Sequence, residues 1–474
     1  MNSNFLWGTA SSAPQMEGAY LEGGKGLTIA DVITVGGKTY ARRATKEVEE
    51  GEFYPSHNAI DFYHTYPEDL KLLAELGVKS YRFSISWARI FPNGDDEVPN
   101  EEGLLFYEKI IDALLEYNIE PVVTLVHIDF PLNLTKKYGS WTNRKLVDLF
   151  LIYAKTVMER YKGKVKYWMT FNEVNHAIPK NDYASVLAFM SSGVEIDKYD
   201  NKEQATADIV YHMILATSKT VLLGHSIDPN IKVSIMNAFI PIYPNTCNPL
   251  DVMESVKQSE NDFFILDILC RGSYPQYQLN AYKDAGIVLP ILPGDKEDME
   301  NGKIDYLAFS YYMSNVASND KSKMKMQNAG FSMGIDNPYL EKTPWGFTID
   351  PVGFRYALNV LHNRYQLPIM VVENGIGGEE EVVDNNVDDT YRIDYLRKHI
   401  EQMKLAIEVD GVNCIGYHAW TSIDLVSGSS GEMSKRYGFV YVDLDNKLQG
   451  SAKRIPKKSY YWYQKVIETN GKIL

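Results

Sequence analysis

Eight short apolar or aromatic runs recur along this chain, each followed by a stretch of helical periodicity. That alternation is the tightest constraint on its fold. The runs with strand character are Phe5 to Ala10, Val78 to Ser84, Pro121 to Val126, Val165 to Phe171, Lys232 to Met236, Ile304 to Ser310, Pro368 to Val372 and Cys414 to Trp420. Amphipathic stretches lie between them: Pro67 to Leu76, Gly103 to Tyr117, Arg144 to Tyr161, Thr206 to Leu223, Pro351 to Tyr365, Asp389 to Val409 and Lys458 to Thr469. Strand then helix, repeated eight times, argues for a closed parallel (β/α)8 TIM barrel of the α/β class. An open doubly wound sheet is the alternative, and it would carry a GxGxxG loop right after its first strand. The nearest candidate, Gly23-Gly24-Lys25-Gly26, has the wrong spacing and comes too late. Long connections near residues 34–56, 237–260, 313–345 and 375–388 are suited to roofing a barrel mouth. None reads as a linker, so residues 1–474 are expected to form a single domain with long βα loops over its active site.

Two of these strands end on a glutamate. Glu173 closes Tyr167-Trp168-Met169-Thr170-Phe171-Asn172, and Glu373 closes Pro368-Ile369-Met370-Val371-Val372 ahead of Asn374-Gly375. Catalytic groups of such barrels sit at the C-terminal ends of the strands. Two carboxylates facing each other there are the minimum equipment for cleaving a glycosidic bond. Further polar residues fall at the same ends: Gln15 and Glu17 after the first strand, Arg82 in the second, His127 at the third, Asn172 beside Glu173, Tyr312 after the sixth and Trp420 at the eighth. Singly, each has a structural account, with Arg82 bridging strands, His127 a satisfied core histidine and Trp420 a core filler. Seven on one rim make coincidence a poor explanation.

Composition removes several function classes. The net charge of −14 disfavours nucleic acid and anionic membrane as partners, and any phosphate site must be locally basic. Cys247, Cys270 and Cys414 are odd in number and far apart, so they read as reduced buried thiols rather than a disulfide frame or metal site. With no apolar run of membrane-span length and no secretory segment, a cytoplasmic enzyme is expected. The 33 Tyr and 7 Trp suit a sugar site, whose flat rings cover pyranose C–H faces, although large barrels bury many aromatics in any case. No heptad seam commits the chain to a homo-oligomer, which stays possible.

At these residues the chain resembles glycoside hydrolase family 1, the retaining β-glycosidases. The likeness runs from Phe5-Leu6-Trp7-Gly8 to Tyr460-Tyr461-Trp462-Tyr463, and Tyr81 to Pro92 is a long, specific match. The segments Thr170-Phe171-Asn172-Glu173 and Val372-Glu373-Asn374-Gly375 look like the family's acid/base and nucleophile motifs. The resemblance implies no cofactor, Glu173 as acid/base and Glu373 as nucleophile. It implies Gln15, His127, Asn172 and Trp420 as glycone contacts, and Arg82 and Tyr312 as supports of the nucleophile. Retention requires carboxyl groups about 5–5.5 Å apart. Arg82 is expected to favour the charged form of Glu373, whose charge, with burial, is expected to raise the pKa of Glu173.

The eighth-strand loop departs from the plain β-glucosidase pattern, Asp-Asn-Phe-Glu-Trp, with Asp424-Leu425-Val426-Ser427-Gly428-Ser429 running on to Lys435-Arg436-Tyr437. Ser427 replaces a carboxylate, and hydroxyl and ammonium donors suit a phosphate dianion. The loop is similar to that of the family's 6-phospho-β-glucosidases, which implies Ser429, Lys435 and Tyr437 as phosphate-binding residues, with Ser427 the alternate serine. Ser310 also looks like that subgroup, plain glucosidases having Asn there. The small Gly428 leans toward gluco- over galacto-configuration, and Ile128 stands where an aromatic usually follows the histidine. Hydrolysis of 6-phospho-β-glucosides is therefore expected. Action on unphosphorylated or galacto-configured sugars, and a silent sugar-phosphate-binding protein, are the alternatives. His176 and Tyr183 are placed to touch the aglycone, with a purely structural role an equal reading.

Overall fold

The computed structural model describes residues 1, 3–37, 40–178, 185–327 and 332–474. Tyr183 lies outside them. Eight parallel strands close on themselves: β1 (Leu6–Ala10), β2 (Ser80–Ser84), β3 (Glu120–Val126), β4 (Tyr167–Phe171), β5 in two halves, β6 (Leu307–Tyr311), β7 (Ile369–Asn374) and β8 (Cys414–Trp420). Every expected strand is present, with ends shifted by a few residues. The fifth breaks at Ile235 into Lys232–Ser234, which pairs with β4, and Met236–Ala238, which pairs with β6. The break supplies the bend that joins the two sides, and β1 pairing with both β2 and β8 completes the ring.

Helices cover the outside. The first, α1 (Phe62–Leu76), starts earlier than expected and carries Pro67 in its second turn, where the missing amide forgoes one bond to the preceding turn. It stops at Gly77, whose φ of 82° suits only a residue without a side chain. In α2 (Glu101–Glu116), Asn100 caps the first turn by accepting from the Glu102 amide. The ring continues through α3 (Lys145–Arg160) and α4 (Lys202–Ile227).

One expectation fails at α5. The stretch 237–260 is not one long connection, because Pro249–Arg271 forms a 23-residue helix that packs against the second half of β5. Its first half carries Leu250, Met253 and Val256 exposed among polar neighbours, so no single apolar stripe marks it in the sequence. Beyond it come α6 (Pro351–Tyr365), α7 (Thr390–Glu408) and α8 (Lys458–Glu468). No helix among the described residues is long and apolar enough to cross a membrane. Cys247 is exposed and Cys270 half-buried, so only Cys414 is the buried thiol that composition suggested. Cys247 lies in the turn before α5, outside the packed layers.

Inside the barrel, Val122, Met169, Met236, Ala308, Met370 and Val372 make a small apolar plug beneath the mouth. On β7 the two-residue alternation that points Met370 and Val372 into this plug would send Glu373 outward. The ladder slips just past Val371, before Glu373 on the β6 side and before Asn374 on the β8 side, and that irregularity turns Glu373 back to the barrel axis.

Beneath the loop that follows β8 lies a buried charge network. Three cations, Arg392, Arg436 and Lys457, interleave with three carboxylates, Glu380, Asp389 and Asp424. Burial alone would raise Glu380, but Lys457 and Arg392 outweigh it and hold that carboxyl below its ordinary value. Opposite charges in equal number make such burial tolerable, and removing one member leaves an uncompensated ion. Lys457→Met should therefore destabilise the fold by about 3–5 kcal/mol, read as a fall of several degrees in the thermal midpoint. An unchanged midpoint would show that the network contributes little.

Candidate active site

The strand ends gather one group around Arg82. Its side chain is fully buried, so each nitrogen needs an acceptor. Nε donates to Thr124 Oγ1 of β3 at 3.0 Å, Nη2 to Asn172 Oδ1 at the end of β4 at 2.6 Å, and Nη1 to Glu373 Oε1 on β7. Tyr312 donates its hydroxyl to the other Glu373 oxygen at 2.8 Å. The placement expected of Arg82 and Tyr312 beside Glu373 is thus present.

Glu173 sits just past β4 in the left-handed region, with φ 42° and ψ 48°. A non-glycine residue there stores about 1–3 kcal/mol of strain. The turn of 3-10 helix over Val174–Ala177 brings His176 back over it, with Nδ1 3.1 Å from Glu173 Oε2. Ser310 donates to Glu173 Oε1 at 2.6 Å, and its backbone pairs in register with Glu373 on the neighbouring strand, which sets Glu173 and Glu373 on either side of one residue. Neither contact was legible beforehand: Ser310 stood out only as a mark of a subgroup, and His176 only as a neighbour of the aglycone. The i, i+3 spacing of Glu173 and His176 was the available signal.

Electrostatics reverse the expected order. Burial pushes Glu373 up to about 7; Arg82 opposes this and the nearby Glu173 adds to it. Burial would also raise Glu173, but His176, then Ser310 and Arg82, outweigh it and leave Glu173 below its ordinary value. The expectation that Glu173 is the raised partner omitted His176. The Coulombic part of that pull exists only while His176 is protonated.

A cleft of about 840 Å³ opens above the pair, lined by Gln15, His127, Asn172, Ser310, Tyr312 and Trp420 among others. Gln15 is oriented at both ends: it donates to the Val426 carbonyl at 2.7 Å and accepts from Ser12 Oγ at 2.7 Å. His127 stacks on Trp420 at 5.9 Å, and burial and then Arg82 hold its pKa well below the ordinary value. Its Nδ1 has no partner among the described residues. Glu17 is the exception on the rim. It turns away from the cleft to pair with Arg89 and accept from Tyr107, because a guanidinium and a phenol buried behind the first loop need a carboxylate there.

The eighth-strand loop closes one corner. Ser427, Gly428, Ser429 and Tyr437 line the cleft, and Lys435 lies just behind them. Lys435 Nζ donates to Ser429 Oγ at 3.1 Å, and Ser429 Oγ lies 3.2 Å from Ser427 Oγ. The ammonium is 2% exposed and faces the rings of Phe347, Trp345 and Tyr437 at 4.7, 5.4 and 5.7 Å. Burial pulls its pKa down to about 7, with Glu432 opposing. A desolvated cation beside two hydroxyls is a site for an anion.

Comparison with known proteins agrees with this geometry. The model of glycosyl hydrolase family 1 matches residues 1–472. The chain belongs to that family. It is 45% identical to an aryl-phospho-beta-D-glucosidase of Bacillus subtilis, covering 100% of this chain and 99% of the relative. A 6-phospho-beta-glucosidase of Clostridium longisporum is also 45% identical, over 99% and 98% of the two chains. A 6-phospho-beta-galactosidase of Clostridium acetobutylicum is 34% identical, over 98% and 96%. The solved family 1 β-glucosidase of Thermotoga maritima superposes with a TM-score of 0.81 at 31% identity, covering 99% of this chain and 98% of that one.

Arg82 is the main group that lowers the Glu373 pKa, so removing it leaves burial opposed only by the Tyr312 hydroxyl. In Arg82→Met the carboxyl should stay protonated to higher pH. The acidic limb of kcat/KM on an activated aryl β-glycoside should then move upward, with a loss on the order of a hundredfold or more at pH 7. A limb that stays in place would separate Arg82 from the ionisation of Glu373.

Proposed function

We propose that this glycoside hydrolase cleaves 6-phospho-β-glucosides with net retention, releasing glucose 6-phosphate and the aglycone. The observation that carries the reading is the Ser429–Lys435 corner, a buried ammonium hydrogen-bonded to a hydroxyl in the same cleft as the carboxylate pair. Relatives named for phosphorylated glucosides, at 42–45% identity over nearly the whole chain, support it.

Glu373 is the nucleophile in this scheme. It attacks the anomeric carbon as the carboxylate, held by Arg82 and Tyr312, while Glu173 protonates the leaving oxygen. The glycosyl–enzyme ester then neutralises Glu373, and Glu173 takes a proton from the incoming water. Near neutrality the pair shares one proton. The productive arrangement seats it on Glu173, whose oxygens are met by Ser310 and His176. Gln15, His127, Asn172 and Trp420 would hold the glucose ring. Ser429, Lys435 and Tyr437, with Ser427 alongside, would hold the C6 phosphate. A side chain at Gly428 would begin 3.3 Å from Gln15 Nε2, so a bulky residue there would displace that amide. The gluco-configuration is favoured accordingly.

The test compares kcat/KM on p-nitrophenyl β-glucoside and on its 6-phosphate. A preference of about a hundredfold for the phosphate, around 2.7 kcal/mol of transition-state binding, is expected, and Lys435→Ala should abolish most of it through KM. Lys435 is charged below about pH 7 and neutral above, so the preference should decline as pH rises through that value. Equal rates on the two sugars would return the protein to plain β-glucosidase activity, and binding without turnover to a silent sensor. Retention is checked separately by proton NMR of the first-formed sugar. The β-anomer is expected, and an α-product would refute the double displacement.

A further inference from the structure

The segment after the first strand carries a cation that the scheme above does not use. Arg42 donates three hydrogen bonds, all to backbone carbonyls: Nε to Thr34 at 3.0 Å, Nη1 to Gly428 at 2.9 Å and Nη2 to Ile33 at 3.3 Å. No carboxylate among the described residues lies within ion-pair distance of it. Burial alone moves its pKa, down to about 10, so the group stays charged at neutral pH. Arg42 is half-buried, and a charge partly removed from water without a counter-ion within reach favours an anion nearby.

Its Gly428 contact bears on the phosphate corner. The Gly428–Ser429 peptide lies between the two serines that line the cleft. In a trans peptide the carbonyl and the following N–H point in opposite directions. With the Gly428 carbonyl held by Arg42, the Ser429 N–H points away from Arg42, and it donates to no acceptor among the described residues. The rest of the loop is held from the same side. The Gly36 amide donates to the Ser430 carbonyl at 2.7 Å, and Gly431, with φ 76°, packs against Val35 and Arg42.

We propose that Arg42 is a specificity-determining positioning residue for the phosphate. It holds the Gly428–Ser429 peptide so that the Ser429 amide joins Ser429 Oγ and Lys435 Nζ as an anion donor. It also places an uncompensated positive charge behind the loop. This rests on the reading of the cleft as a 6-phosphate site. It adds to that reading a contribution from the first βα loop, far from the eighth in sequence.

Three full-length variants test it: Arg42→Gln, which keeps a donor and loses the charge, Arg42→Lys, which keeps the charge and loses the planar fork, and Lys435→Ala as reference. Steady-state kinetics on p-nitrophenyl β-glucoside and its 6-phosphate, and competitive inhibition by inorganic phosphate, are the readouts. Arg42→Gln should cut the preference for the phosphorylated sugar about tenfold to a hundredfold through KM rather than kcat, and weaken inhibition by phosphate in parallel. Arg42→Lys should fall between it and the parent. An unmoved preference, or a loss of the same size on both sugars, overturns the proposal. Should Arg42→Gln not fold, an unchanged KM for the phosphorylated sugar in Arg42→Lys overturns it equally. If Lys435→Ala leaves the preference intact, the phosphate reading itself fails. If Lys435→Ala abolishes it and Arg42→Gln does not, only the role of Arg42 is lost.

Discussion

A guanidinium with no exposed surface sits at the centre of the barrel mouth, and its need for acceptors organises the groups around it. Arg82 lies on β2 and reaches Thr124 on β3, Asn172 after β4 and Glu373 on β7, tying four strand ends together. Lose one acceptor and a buried N–H is stranded at a cost of about 1–3 kcal/mol, more for a charged group. Thr124 answers the need at the depth where Val122, one layer below, is still apolar plug. The β7 irregularity brings Glu373 inward to meet it. Stability and chemistry therefore draw on one interaction, since the cation that completes the mouth also opposes the rise in the Glu373 pKa.

The second half of the site is solved differently. Among the described residues Lys435 has no carboxylate within ion-pair distance; it has the Ser429 hydroxyl and aromatic faces. Next to it, Arg436 is fully committed to Asp424 and to the Val442 and Leu444 carbonyls. Adjacent residues of one short segment thus do opposite jobs, one anchored in a balanced ionic network and one left with unspent charge at the cleft. Arg42 approaches the same loop from the other side, again with no carboxylate among the described residues within ion-pair distance. The corner carries positive potential within a chain of net charge −14. That contrast lets a local site attract an anion that the whole molecule repels.

Strand positions were legible because burial on both faces writes continuous apolar runs into the sequence, and the two glutamates were legible because each ends such a run. Helix α5 was not, because its first half exposes apolar side chains among charges and leaves no clean stripe. Glu17 was assigned to the rim by sequence proximity to Gln15. Two residues on, however, the chain has turned, and Arg89 and Tyr107 claim the carboxylate. The pKa order has the same origin. The carboxylate pair alone would raise Glu173, but His176 and Ser310 act on it from a turn and a strand that only folding brings alongside.

By itself the sequence determined the architecture, the two carboxylates and the chemistry of the eighth loop, because periodicity and side-chain type are local properties. Tertiary structure alone decided which nitrogen meets which oxygen. It turned Glu373 inward through a slip in the ladder, laid His176 over Glu173, and brought Arg42 to Gly428 across 386 positions of chain. Such contacts depend on distance, direction and desolvation, and none of these exists until the barrel has closed.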